Sequence, residues 1–443
     1  MDTFKKPELL IPAGSLEVLK VAIDYGADAV YIGGQKFGLR AKAGNFSIDE
    51  MKEACDYVHK AGKKLYVTVN IFAHNDDIEG IKEYFNELID AGLDKEIDAL
   101  IISDPGIFTI AKDMLPDMEI HISTQANNTN YITYNFWYKA GAARVVAARE
   151  LSLKELKTIR DNIPEDMEIE AFMHGAMCIS YSGRCLLSSY FTGRDANKGA
   201  CTHPCRWKYS VVEEKRPGEY LPVEEDDRGT YIFNSKDLCM IEYIPDMIAA
   251  GINSFKVEGR MKTALYVAVV TRTYRQAIDD YLKSEELYRS RMDYYKEEIA
   301  ACTFRQFTTG FYFHKPDENS QIYDSNTYIK NYTYLGLCEE LISYNDIKNE
   351  FSGHGRFNEA LTDDIKNSKF IKIHQKNKFV VGDVISIMDF DGNNIEVTVN
   401  GIYDENMNPM ESAPHPKQLL YIDVDDNTRI NRGMIIRSRH CED

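Results

Sequence analysis

Four thiols stand close together in this chain: Cys178, Cys185, Cys201 and Cys205, spaced C-x6-C-x15-C-x3-C. Clustered thiolates are soft ligands, suited to zinc or to an iron–sulfur cluster. Structural zinc usually takes two closely spaced knuckles, and only Cys201 and Cys205 lie that close. A cluster tolerates irregular spacing because the loop wraps a larger group. Four unrelated buried thiols is the purely structural reading, and spacing alone leaves all three open. The other five cysteines, Cys55, Cys239, Cys302, Cys338 and Cys441, are scattered singly and read as core filler or incidental thiols.

The segment around the four thiols has its own charge. From Cys178 to Ser210 the basic residues are Arg184, Arg194, Lys198, Arg206 and Lys208, against the single acid Asp195. Tyr181, Tyr190, Phe191, Trp207 and Tyr209 are interleaved with them. Cations beside aromatic faces suit a phosphate backbone and an unstacked base, or a small anionic substrate. They equally suit a loop whose arginines offset thiolate charge. Arg184, Arg206, Lys208, Trp207 and Tyr181 are the binding candidates here.

Just upstream, Glu170 and His174 lie in and at the end of an apolar run, Glu168–Met173, and are the proton-transfer candidates. Arg149 and Arg260 also end strand-like runs and are candidates for holding a carboxylate. An ion-pair ring with Glu150 and Glu258 is the structural alternative. No His-Glu-x-x-His, no G-x-S-x-G elbow and no P-loop is present, so nothing supports a zincin, a serine hydrolase or an NTPase.

These residues need a scaffold, and the pattern supplies one. Short β runs alternate with amphipathic stretches at Leu9–Ala13, Ala29–Gly33, Lys64–Asn70, Ala99–Ser103, Glu119–Thr124, Arg144–Arg149, Glu168–Met173 and Asn253–Val257. Helical stretches close on Gly26, Gly62, Gly92, Gly141 and Gly251, the expected position for a left-handed cap. Ser47 with Glu50 forms a capping-box pattern. Eight β–α repeats predict an α/β fold, a (β/α)8 TIM-like barrel with chemistry at the C-terminal strand ends. A doubly wound sheet is the alternative. The strand-end residues are Gly14, Gly34, Asn70, Asp104, Gln125, Arg149, His174 and Glu258.

The barrel is expected over residues 1–283, with a cysteine-rich loop and hairpin inserted at about 176–233 after strand 7. A helix start is expected at Asn234–Asp237. A helical and loop connector follows over 284–329, with Arg305–Phe311 as a loop. Residues 330–443 read as a small C-terminal β-barrel, with Asn345–Asn367 as a polar loop.

A chain of 443 residues suits more than one domain, and its net charge of −18 excludes bulk phosphate binding. Nucleic acid would need a local basic patch. No run is long and apolar enough for a signal peptide or a membrane span, so a cytoplasmic protein without membrane contact is expected. Disulfides are disfavoured there, which favours ligation by the thiols.

Specific motifs carry a resemblance. Leu10-Ile11-Pro12-Ala13-Gly14, Gly26-Ala27-Asp28-Ala29-Val30-Tyr31 and Phe172-Met173-His174-Gly175-Ala176-Met177-Cys178 are three of them. Others are Ser182-Gly183-Arg184-Cys185, Cys201-x3-Cys205-Arg206-Trp207, Ser235-Lys236-Asp237-Leu238, Lys256-Val257-Glu258-Gly259-Arg260 and Arg305-Gln306-Phe307-Thr308-Thr309-Gly310-Phe311. Together they resemble peptidase family U32, the collagenase-like protease family, over essentially the whole chain, and within it the branch that hydroxylates tRNA. That resemblance implies an enzyme converting the wobble uridine of tRNA to 5-hydroxyuridine with prephenate as co-substrate. It also implies a 4Fe-4S cluster on Cys178, Cys185, Cys201 and Cys205, zinc being the alternative. The partners implied are tRNA and a small anion; a homo-oligomer or a partner protein stays open. A U32-type peptidase and a non-catalytic, cluster-bearing RNA-binding protein are the rival readings.

Overall fold

The computed structural model describes residues 6–39, 45–178, 180–207, 210–212, 220–222, 234–314, 321–322, 329–351, 366, 368–424 and 429–439. Seven strands, β1 (Glu8–Pro12), β2 (Ala29–Gly33), β3 (Lys64–Val69), β4 (Ala99–Ile102), β5 (Ile120–Ile122), β6 (Arg144–Val146) and β7 (Glu168–Ala176), lie side by side in sequence order. The closing strand Ser254–Val257 pairs in parallel with both β7 and β1, so the sheet closes into an eight-stranded barrel. The doubly wound alternative is excluded by that closure.

Alternation along each strand sets the two faces. Outward residues such as Leu9, Ile11, Val30, Ile32, Leu65 and Val67 pack under the surrounding helices. The helices start and stop as their sequences dictate: Ser47 and Glu50 form a capping box, as do Ser152 and Glu155. Gly141 closes Tyr131–Ala140 at φ 96°. Inward residues are mixed. Leu10, Ala29, Tyr31, Tyr66, Ala99 and Ile101 form one apolar layer, and Glu8, Arg144, Glu170 and Lys256 are enclosed beside it.

Strand β7 departs from regular alternation. Lys256 pairs with Phe172 and Val257 with His174, so Met173 is an extra residue, a β-bulge. Beyond it the end of β7 pairs antiparallel with Asp237–Cys239, which pairs in turn with Phe307–Thr308.

Several expectations are corrected. Asn234–Ser235 and Asp237–Cys239 are short strands; the helix begins at Ile244, where Pro245 suits its first turn. Arg305–Phe311 contributes a strand rather than only a loop. The helical part of the connector is two short helices, Glu285–Ser290 and Met292–Ile299, broken at Arg291. Asn345–Asn367 opens as the helix Tyr344–Phe351, with 352–365 and 367 outside the described residues. The insertion contains a hairpin, Ser210–Val212 against Tyr220–Pro222, so the acidic stretch 223–227, expected as the turn between two β runs, follows the second strand instead and lies outside the described residues.

The C-terminal region holds antiparallel sheets of four and five strands around Leu335, Ile371, Ile385, Ile422 and Ile436. It is locked to the barrel. Tyr25 Oη donates to the Met388 carbonyl at 2.8 Å and accepts from Ile435 N at 2.9 Å. Glu298 sits between the buried guanidiniums of Arg272 and Arg437. Among the described residues, no helix is long and apolar enough to cross a membrane.

Candidate active site at the barrel mouth

A cavity of about 140 Å³ opens at the C-terminal ends of the strands, where a TIM barrel places its chemistry. All four clustered cysteines line it. Facing them are three cations, Arg149, Lys256 and Arg260, with Asn70 and Ser123 alongside.

Each cation is held by its element. Lys256 points inward from the closing strand, with Nζ 2.5 Å from Glu170 Oε1 and 4.3 Å from the Tyr31 ring centroid. Arg149 follows β6; its guanidinium lies 3.9 Å over the Phe172 ring, and Nη2 is 3.3 Å from Glu258 Oε2. Arg260 donates from Nη1 to Thr68 Oγ1 at 3.0 Å and from Nη2 to Asn45 Oδ1 at 2.8 Å. It lies so close over Gly33 that a Cβ there would stand 2.3 Å from Nη2, which is why a glycine ends β2.

The cysteine loop is tied down over this floor independently of its thiols. Ser182 N donates to Glu150 Oε1 at 2.9 Å. Asn197 Nδ2 donates to the Cys185 carbonyl at 3.1 Å, and Lys198 pairs with Asp77 at 2.8 Å. Gly183 has φ 73°, and a Cβ on it would sit 2.1 Å from the Gln125 carbonyl oxygen. Gly183→Ala is therefore expected to cost at least about 1 kcal/mol. Limited proteolysis should show faster cutting within 178–207 while the barrel stays intact.

The donor set fits a cluster. Burial around the Cys178 sulfur pushes its thiol pKa up, a backbone hydrogen bond from Ser180 and the Arg149 charge pull it down, and Cys185 and Cys201 push it up again. Cys185 and Cys201 thus lie within electrostatic reach of Cys178. Among the described residues, no three Cys, His, Asp or Glu side chains stand close enough to hold one ion. All four cysteines line one cavity, and thiolates are the donors that an iron–sulfur cluster takes.

The family model for peptidase family U32 matches residues 14–322, and that for the U32 C-terminal domain matches 360–437. The chain belongs to peptidase family U32. The chain is 38% identical over 421 residues to tRNA hydroxylation protein P1 of Bacillus subtilis (strain 168), covering 95% of this chain and 92% of the relative. It is 34% identical to tRNA hydroxylation protein P of Escherichia coli (strain K12), covering 98% and 97%. A third relative, the 23S rRNA 5-hydroxycytidine C2501 synthase of Escherichia coli (strain K12), is 33% identical over 73% of this chain and 47% of that one.

The motifs of this U32 chain converge on the mouth. Gly14 leaves room for the Arg260 carbonyl, which a Cβ would approach to 2.2 Å, and Gly175, at φ 111°, does the same for the Glu258 carbonyl. Of the strand-end residues, Asn70, Gln125, Arg149 and Glu258 line the cavity. Asp104 instead caps the helix Pro105–Met114. Arg149 pairs with Glu258 as the structural alternative proposed, whereas Glu150 is taken up by Ser182.

The proton-transfer candidates lie elsewhere. Glu170 is fully buried below the cavity, paired with both Lys256 and Arg144. The bulge at Met173 turns His174 to the outside of the barrel, where Nδ1 meets Tyr274 Oη at 3.2 Å. Burial and then the Lys262 charge push its pKa down to about 3, so it is neutral near pH 7.

Of the loop candidates, Tyr181 lines the cavity and is 63% exposed. Trp207 is exposed, 6.4 Å from the Phe191 ring, and Arg184 is exposed without lining the cavity. The Arg206 side chain and Lys208 lie outside the described residues. Reading the sequence missed Lys256 and His203, both cavity-lining. Alternation of Ser254, Lys256 and Glu258 was the available signal for the first. His203, in a left-handed conformation at φ 57° before Pro204, had none beyond its place between two cysteines.

Proposed function

We propose that this chain hydroxylates a pyrimidine base in RNA, converting the wobble uridine of tRNA to 5-hydroxyuridine with prephenate as co-substrate and a 4Fe-4S cluster on Cys178, Cys185, Cys201 and Cys205. The observation that carries this reading is the meeting of four thiols and three cations in one barrel-mouth cavity. The names of the relatives, tRNA hydroxylation proteins and an rRNA hydroxycytidine synthase, support the substrate class.

An iron–sulfur cluster supplies one-electron chemistry that no side chain here offers. The chain's own residues do the rest. Arg149, Lys256 and Arg260 form a pocket for a dicarboxylate such as prephenate, the two arginines offering planar forks. Tyr181 and Trp207 present faces on which an extruded base stacks. A protein in a cytoplasmic compartment, where tRNA resides, is consistent with this role.

The test is protein purified without oxygen, incubated with unmodified tRNA with and without prephenate, and nucleoside mass spectrometry for one added oxygen on uridine. No added oxygen under either condition refutes the reading; collagen or casein cleavage lost on substitution at this site would favour a peptidase. Arg149→Gln is expected to raise the KM for the small anion about ten- to a hundredfold, the worth of one charge-assisted hydrogen bond. Its RNA affinity should change little, measured separately by direct binding.

A further inference from the structure

Three cavities adjoin one another in series, each sharing wall residues with the next. The one at the barrel mouth shares Ala176, His203, Glu258 and Arg260 with a second of about 370 Å³. The second shares Thr263 and Thr303 with a third of about 550 Å³. The middle cavity lies over the turn 259–263, which leads into the long helix Ala264–Lys283. The last is the cleft between barrel and C-terminal domain, with Glu17 on one bank and Tyr332 and Lys376 on the other. The buried contacts of Tyr25, Arg272 and Arg437 hold that cleft in shape.

The path is basic in an acidic protein of net charge −18. Arg260, Lys262, Lys330 and Lys376 line it. Its acids, Glu258 and Glu17, already have cation partners: Arg149 at 3.3 Å and Lys376 at 3.1 Å. Lys330 is exposed and makes no ion pair among the described residues. Met261, 58% exposed, gives the middle cavity an apolar wall, and Tyr332 does so for the cleft. A small co-substrate needs only the first cavity. The additional space, with cations and apolar faces along it, matches a single nucleic-acid strand.

We infer that the RNA strand on one side of the reacting nucleotide leaves the barrel mouth along this path, over the turn 259–263 and into the interdomain cleft. This rests on the RNA reading above. A base must leave its stack to reach atoms at the bottom of a barrel mouth, which draws its flanking strand across the rim. The C-terminal domain then serves as one bank of an RNA groove.

The test is fluorescence anisotropy of a labelled single-stranded RNA carrying the target uridine with flanks on both sides, across a salt series. Lys330→Glu and Lys262→Glu are each expected to weaken binding about five- to tenfold. The slope of log affinity against log salt should become shallower by about 0.7 for each phosphate no longer neutralised. Lys60→Glu, exposed at the end of the helix Ile48–Lys60, is the control for net charge and should bind as the wild type does. Prephenate binding to Lys330→Glu, followed by calorimetry, should be unchanged. Wild-type affinity and slope in both track variants, or an equal loss in Lys60→Glu, overturns the path while leaving the RNA reading standing. No RNA binding by the wild type overturns both.

Discussion

Cys201→Ser is expected to strip the protein of iron and leave its barrel folded. Wild-type protein prepared without oxygen should carry about four irons and four sulfides per chain, the content of a cubane cluster. A serine oxygen is a hard, poorly ionised donor and does not replace a thiolate for iron–sulfur chemistry. The fold should survive because the loop's anchors are not thiols: Ser182 on Glu150, Asn197 on the Cys185 carbonyl and Lys198 on Asp77. Iron and sulfide assays with circular dichroism separate the two effects. A variant that keeps full iron refutes the ligand assignment, and one zinc per wild-type chain would return the four thiols to a structural role.

The second large effect lies below the site. Arg144 is 3% exposed and reaches Glu8 at 2.6 Å, Glu168 at 2.6 Å and Glu170 at 3.1 Å. Arg144→Met should destabilise the protein by about 3–5 kcal/mol, the usual cost of stranding a buried charge. Glu8 makes the effect pH-dependent. Burial alone raises its pKa, but the Arg144 charge and hydrogen bonds from Arg144, Tyr66 and Ser254 outweigh that and bring it down to about 2. A shift of that size corresponds to about 3 kcal/mol. Because the folded pKa is depressed, this stability is fully present above the unfolded carboxylate range, near 4.3, and is lost as pH falls toward 2.

In Arg144→Met the sign reverses. Burial is then left as the dominant influence on Glu8, its folded pKa rises above the unfolded value, and acidification stabilises the variant. The stability gap between wild type and variant should therefore narrow from pH 8 to pH 5 in denaturant titrations. Adding Glu8→Gln to the variant should recover part of the loss. A gap that stays constant with pH, with no recovery, would show that Arg144 acts by packing alone.

How far the chain could be read before folding differs from element to element. Eight β–α repeats, glycines closing helices and the Ser47–Glu50 box are local patterns, and each reappears in the structure because only nearby residues decide it. Arg149 and Arg260 reach the cavity because barrel strands bring their C-terminal ends to one rim. The clustering of four cysteines in one short segment likewise brought them to one cavity.

His174 and Glu170 show where local reading stops. Alternation puts both on one face only while pairing stays regular, and one bulged residue, Met173, turns His174 outward. Nothing near Met173 in sequence announces it; the register with the closing strand does. Glu170 lies inward as alternation implies, but its environment is set by Lys256, 86 positions away, and by Arg144, so it is a buried ion-pair partner. The repeats, the caps, the inserted thiol loop and the charge types available are legible from local sequence. Only folding settled which charges meet, which face His174 takes, and that cavities adjoin from the barrel mouth to the interdomain cleft. Propensity and periodicity act over a few residues, whereas charge pairing and strand register are settled between segments far apart in the chain.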